Sequence, residues 1–140
     1  MRLILVGMSH RTAPVEVRER IVFSDSDLKK GCSALGSLQP IAECALLSTC
    51  NRTEILAARR KDTTLAEAVE CIREFLASSR PIGREELDRY LYVHEGADAV
   101  RHLFRVASSL DSMIIGEPQI LGQVKDAYYG AVQAGTVGPH

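Results

Sequence analysis

The sequence predicts an α+β domain built as a split βαβ plait of the ferredoxin-like type. This is an antiparallel sheet with helices on one face, extended here by extra C-terminal helices. Three observations carry that expectation. Apolar runs of strand length and segments of helical period follow one another in the order β-α-β-β-α-β. The second and third runs, Ile41 to Leu47 and Arg52 to Ala58, are close enough to form a hairpin. After Gly96 the chain is helical almost to its end.

The elements follow in order. Leu3-Ile4-Leu5-Val6-Gly7 is short, apolar and β-branched, and reads as a buried first strand. The polar segment from Met8 to Pro14 breaks it, and Pro14 suits the first turn of a short helix over Val15 to Ile21. Ser24-Asp25-Ser26-Asp27 is a helix start with Ser24 or Ser26 as N-cap. Leu28, Cys32, Leu35 and Leu38 then recur at helical spacing until Pro40. After the hairpin, Asp62-Thr63-Thr64 caps a helix with Leu65, Ala68, Val69, Ile72, Phe75 and Leu76 on one face. Pro81-Ile82-Gly83 interrupts, Glu85 to Leu87 forms a short helical turn, and Tyr90-Leu91-Tyr92-Val93 is the fourth strand. Ala99, Val100, Leu103, Phe104, Val106, Ala107 and Leu110 give the next helix a broad apolar face. Glu117-Pro118 opens the last helix, with proline in its first turn and Glu117 favourable at the positive helix end. The tail from Gly135 to His140 has no periodicity and reads as a frayed end.

The bulk numbers narrow the function classes. A chain of 140 residues with 46% hydrophobic and 25% charged residues is one soluble-type domain with a real core. A net charge of −1 argues against a dominant nucleic-acid footprint, and Arg59-Arg60-Lys61 is too short a basic run to change that. The 4 cysteines form no C-x-x-C pair and have no histidine at ligand spacing, so no zinc site is expected. No G-x-G-x-x-G follows a strand and there is no P-loop, so no nucleotide-binding unit is recognised. Nothing in the opening residues resembles a secretory signal, so none is expected, and no apolar stretch nears the roughly 20 residues that span a bilayer. The cysteines read as free thiols of a reducing cytoplasm, and no membrane association is expected.

One thiol differs from the rest. Cys32 and Cys71 lie on apolar helix faces and Cys44 lies inside a strand, as small buried hydrophobes do. Cys50 is flanked by Ser48, Thr49, Asn51, Arg52 and Thr53, in a polar turn at a strand end. That is the setting of an accessible nucleophile with a cation nearby. His10, His94 and His102 are the histidines that could assist it, and linear order alone leaves their approach to Cys50 open. Asp111-Ser112 and Gly116-Glu117-Pro118-Gln119 precede a helix start, whose free N–H groups suit a carboxylate. Gln119 and Gln123 share one face of that helix.

These residues resemble the glutamyl-tRNA reductase family. The resemblance rests on Gly7-Met8-Ser9-His10-Arg11-Thr12-Ala13-Pro14 and on Ser48-Thr49-Cys50-Asn51-Arg52-Thr53-Glu54. It extends from Arg101-His102-Leu103-Phe104 through Leu110-Asp111-Ser112-Met113 to Gly116-Glu117-Pro118-Gln119-Ile120-Leu121-Gly122-Gln123. It implies an enzyme that reduces the activated carboxyl of glutamate on its tRNA to glutamate-1-semialdehyde with NADPH, feeding 5-aminolevulinate and tetrapyrrole synthesis. Cys50 would attack the aminoacyl ester and hold glutamate as a thioester. Thr49, Asn51, Arg52, Ser112, Glu117, Pro118, Gln119 and Gln123 would contact the substrate. His102 would matter for activity by assisting the thiol or the carbonyl. Arg52 would grip a substrate carboxylate through its guanidinium fork. The implied partners are glutamyl-tRNA and glutamate-1-semialdehyde aminomutase.

Leu56 stands where the family often has tyrosine, and Ser109 where it often has glycine. Family members continue into an NADPH-binding domain and a helical domain that makes a homodimer, so residues 1–140 are expected to be the single catalytic domain. A detached docking module for a pathway regulator is the alternative reading. A cysteine hydrolase is a third, although no local protease signature surrounds Cys50. The expectation is checked by following absorbance at 340 nm. The purified 140-residue chain, given glutamyl-tRNA, oxidises no NADPH, and measurable oxidation would overturn this.

Overall fold

The computed structural model describes residues 2–116 and 118–140. The sheet is made by β1 (Leu3–Ser9), β2 (Ile41–Ser48), β3 (Arg52–Arg59) and β4 (Tyr92–Glu95), in the order β2-β3-β1-β4. All three pairings are antiparallel. This is the split βαβ plait expected from the element order. The helices between the strands are α1 (Val15–Ile21), α2 (Asp25–Gly36), α3 (Leu65–Ser79) and α4 (Arg84–Tyr90), followed by α5 (Gly96–Ala107) and α6 (Gln119–Ala134).

Strand alternation divides the sheet into two faces. Ile4, Val6 and Met8 of β1, Cys44 and Leu46 of β2, and Ile55 and Ala57 of β3 point to one side. There they meet Val17 and Ile21 of α1, Cys32 and Leu35 of α2, Ile72 and Leu76 of α3, and Leu87 of α4 in the main core. Full burial of each Ile or Leu contributes about 2 kcal/mol. The alternate residues Leu5, Ala45, Leu47 and Leu56 face α5 and α6 across the sheet. The extra C-terminal helices therefore cover the second face. α6 also wraps the β2 edge, since Ile120 and Ala127 pack with Leu47 whereas Ala131 belongs to the main core beside α2.

Local chemistry explains the element ends. Ser24 caps α2, its hydroxyl accepting the Asp27 N–H. Thr64 and Glu67 form a full capping box at the start of α3. Several boundaries differ from the sequence reading. The helical turn expected at Glu85 to Leu87 is a two-turn helix that includes Tyr90, so β4 begins only at Tyr92. Pro118 is the N-cap of α6, not a first-turn residue, and Glu117 lies outside the described residues. The tail does not fray. Thr136 exchanges hydrogen bonds with Cys44 on the open side of β2, and Glu43 accepts from the N–H groups of Gly138 and His140. Strand-edge groups that sequence cannot pair provide these partners. The apolar face expected on α5 is only partly used. Ala99 and Val106 are buried, but Phe104 is 69% exposed and joins exposed Leu110, Met113, Ile114 and Ile115.

Gly7 sits in the middle of β1, opposite Glu54 on one side and Tyr92 on the other. A Cβ there would stand 2.6 Å from the Thr53 carbonyl oxygen and 2.8 Å from Glu54 Cγ. The carbonyl belongs to the central ladder and cannot swing aside. Gly7→Ala is expected to cost about 2 kcal/mol, the usual scale of overpacking, read as a lower urea midpoint with unchanged slope. A midpoint equal to the parent's would show that the ladder yields.

Candidate active site

The β2–β3 connection is a turn over residues 49–52. The Thr49 N–H donates to the Arg52 carbonyl at 2.8 Å, and the Thr49 hydroxyl accepts the N–H groups of Asn51 and Arg52 at 3.1 and 3.2 Å. Threonine suits this place because its short hydroxyl closes such a turn on its own backbone. Cys50 is carried at the tip and is exposed, whereas Cys32 and Cys44 are buried and Cys71 is intermediate. The turn is braced from below. The His10 N–H donates to the Asn51 carbonyl at 2.8 Å, extending the β1 ladder. Arg18 of α1 is buried and donates to the carbonyls of Ala13 and Cys50 at 3.2 and 2.9 Å.

Arg52 is 2% exposed. Its Nη1 donates to Glu54 at 2.8 Å, and its Nη2 to the Asp111 carboxylate at 3.0 Å and the Asp111 carbonyl at 2.7 Å. The free guanidinium fork expected from sequence is therefore engaged by the protein. A buried guanidinium needs acceptors, and the strand period puts Glu54 on the same face two residues on. Asp111 also pairs with Arg11 at 3.2 Å. The loop that brings Asp111 here leaves α5 through Ser109, whose φ of 66° is left-handed. That geometry favours glycine.

One cavity of about 50 Å³ gathers most of the expected contacts: Thr49, Cys50, Asn51, Arg52, Ser112, Gln119 and Gln123, with Ile120. Pro118 flanks it as the α6 N-cap without lining it. His102 does not line it either. Its Nε2 bonds Glu54 Oε2 at 2.5 Å, and its ring stacks on His94 at 4.6 Å and tilts against Tyr92 at 5.3 Å. Sequence reasoning left Glu54 and Arg18 out of the site; it named His10 and Asp111 as neighbours of the chemistry without giving either a contact. The i,i+2 spacing of Arg52 and Glu54 on a strand was a usable signal; the reach of Asp111 and Arg18 across the fold had none.

Three comparisons bear on this arrangement. The family model described as Glutamyl-tRNAGlu reductase, N-terminal domain, matches residues 6–140. The chain belongs to this family. It is 50% identical over 139 residues to a glutamyl-tRNA reductase of Syntrophotalea carbinolica and 46% identical over 138 residues to one of Geobacter metallireducens. In each case the match covers 99% of this chain and 31% of the relative. The solved glutamyl-tRNA reductase from Methanopyrus kandleri superimposes with a TM-score of 0.73 at 35% identity, covering 98% of this chain and 30% of that one. The glutamyl-tRNA reductase N-terminal domain is thus the frame for the geometry above. Among the described residues, no helix is long and apolar enough to cross a membrane.

The histidines beside the site make it sensitive to acid. Burial, then the charges of Arg52 and Arg11, hold the His10 pKa below its ordinary 6.5; Asp111 opposes them. Its Nδ1 is buried without a hydrogen-bond partner among the described residues. Burial, then His102, lowers that of His94. Below pH 6.5 the unfolded chain binds protons that the folded one resists. Stability contributed by these groups is therefore complete above about pH 6.5 and is lost as pH falls toward the lowered folded values. Urea midpoints compared at pH 7.5 and 5.5 should drop for the parent and drop less for the His10→Gln, His94→Gln double variant. Equal drops would refute the assignment.

Proposed function

We propose that this domain takes the glutamyl group of glutamyl-tRNA onto Cys50. The observation that carries the reading is the meeting, in one cavity, of an exposed thiol at a braced turn with polar side chains from a segment some sixty residues away. Such a constellation suits acyl transfer to a positioned nucleophile. In the step proposed, the Cys50 thiolate attacks the ester carbonyl carbon. The bond from that carbon to the terminal ribose oxygen breaks, and that departing oxygen takes up a proton equivalent to the one the Cys50 thiol lost on ionising, leaving as a hydroxyl. Thr49, Asn51, Arg52, Ser112, Gln119 and Gln123 orient the amino acid beside the Pro118 cap of α6, and Glu117 is proposed as a further contact on the family resemblance alone. His102 contributes to activity.

Among the described residues Arg11, Arg18 and Arg52 set three guanidiniums against the carboxylates of Glu54 and Asp111 around this turn. That excess of positive charge favours the side-chain carboxylate of a glutamyl group.

NADPH, when bound, supplies the hydride that reduces a thioester to glutamate-1-semialdehyde. The residues described here do not fit a dinucleotide, because every strand pairing is antiparallel and no glycine-rich strand-to-helix turn is present among them. No step of this chain is therefore routed through it. Glutamate-1-semialdehyde aminomutase, as consumer of a reactive aldehyde, and a second copy of the full-length protein are the partners this reading implies.

A docking role has one specific feature in its favour, the exposed apolar run Met113-Ile114-Ile115. It leaves the Cys50 cavity unexplained, and alkylating Cys50 would not disturb it. The test of acyl transfer uses the full-length protein, glutamyl-tRNA carrying labelled glutamate, and an acid quench before gel separation. The parent should retain label on the protein and Cys50→Ser should retain none. Label persisting on Cys50→Ser would remove Cys50 as nucleophile.

A further inference from the structure

Glu54 is the buried group that acyl transfer, as described, leaves without a task. Its side chain is 3% exposed, and each carboxylate oxygen has its own partner. Oε1 accepts from Arg52 Nη1 at 2.8 Å, and Oε2 accepts from His102 Nε2 at 2.5 Å. Arg52 lines the Cys50 cavity and His102 does not. The carboxylate is therefore a direct link between the cavity wall and a histidine on α5. A carboxylate only accepts hydrogen bonds, so the contact requires an N–H on Nε2 of His102.

The surroundings are built around this group. Gly7 on the neighbouring strand leaves the room in which the Glu54 side chain lies. Beside the uncharged Gly7 of β1 and Leu47 of β2, the titratable or charged groups around it are Arg52 from β3, Tyr92 and His94 from β4, His102 from α5, Asp111 from the loop beyond, and Tyr128 of α6 on the same cavity wall. Burial and then the Glu54 charge push the Tyr92 hydroxyl up, so it stays neutral beside the carboxylate. Arg52 and His102 bond it directly, and the neutral Tyr92 hydroxyl stands beside them as a further O–H able to donate.

We infer that Glu54 is a positioning residue for acyl transfer: by bonding Arg52 and His102 through separate oxygens, it holds the guanidinium against the Cys50 cavity and lets His102 act on the site through that guanidinium. The inference rests on the acyl-transfer reading. Sharing one carboxylate between a cavity-lining cation and an imidazole Nε2–H makes each sensitive to the other.

The test is Glu54→Gln in the full-length protein, alone and combined with His102→Asn. The amide keeps the shape and one acceptor for Arg52, but it offers N–H where His102 needs an acceptor. Single-turnover acylation of Cys50 from glutamyl-tRNA should slow roughly 10- to 100-fold, the usual scale for losing an outer partner that orients a site residue. Dissociation of glutamyl-tRNA should change far less. The two substitutions should be strongly non-additive, because both cut one link. In the parent, nitrogen-15 shifts should report His102 as Nε2–H.

Unchanged acylation in Glu54→Gln, or full additivity, overturns the inference. If Glu54→Gln does not fold, a parent spectrum with the His102 proton on Nδ1 overturns it alone. Failure of the underlying reading looks different, since the parent itself would then carry no acyl group on Cys50.

Discussion

A guanidinium taken out of water must be met by negative charge and by acceptors aimed at its fork, and Arg52 makes that demand at the start of β3. Glu54 answers it from the same strand face. Asp111 answers it from a loop 59 residues further along the chain. Losing one partner of such a buried pair costs about 3–5 kcal/mol, because the charge left behind stays buried. The demand therefore anchors the loop after α5 against the end of the sheet. With the loop anchored, Ser112 and the first turns of α6 are carried to the Cys50 turn, and the cavity forms between them.

The second face of the sheet is divided along its length for the same reason. At the end near the turn it is polar, with Arg52, Glu54 and Tyr92 grouped around the space that Gly7 leaves. At the other end Leu5, Ala45, Leu47 and Leu56 face Leu103, Val124 and Ala127 across an apolar cavity of about 220 Å³. α5 bridges both halves, placing His102 on the polar group and Leu103 one residue later on the apolar one. A helix that serves both halves has little freedom to rotate, since a turn about its axis would expose Leu103 or strip Glu54 of its partner.

Much of the fold was legible in the residues. The antiparallel plait followed from the order of short β-branched runs and 3.6-residue periods, and the caps at Ser24 and Thr64 lie where side-chain oxygens precede helical runs. The misplaced boundaries share a cause. Tyr90 and Leu91 have strand-like chemistry, yet α4 continues through Tyr90, packed at Leu87 against the main core and tied to α1 by the Arg20–Glu86 ion pair. The tail lacks a pattern because its partners are backbone groups of the β2 edge and a carboxylate of Glu43, none of which its own sequence encodes.

By itself the sequence determined which residues are chemically fit to act: one thiol in a polar turn among three apolar ones, a pair of glutamines on one helix face, and an arginine beside the thiol. Local spacing decides such matters, because side-chain direction in strands, turns and helices repeats over a few residues. Only the tertiary structure decided how they are wired. It turned Arg52 from a free grip into the centre of a buried network, drew in Asp111, Arg18 and His10, and set His102 on Glu54. Those contacts span tens of residues and follow from how the sheet, α5 and the loop pack, and the need to neutralise a buried charge acts only once packing has removed the water.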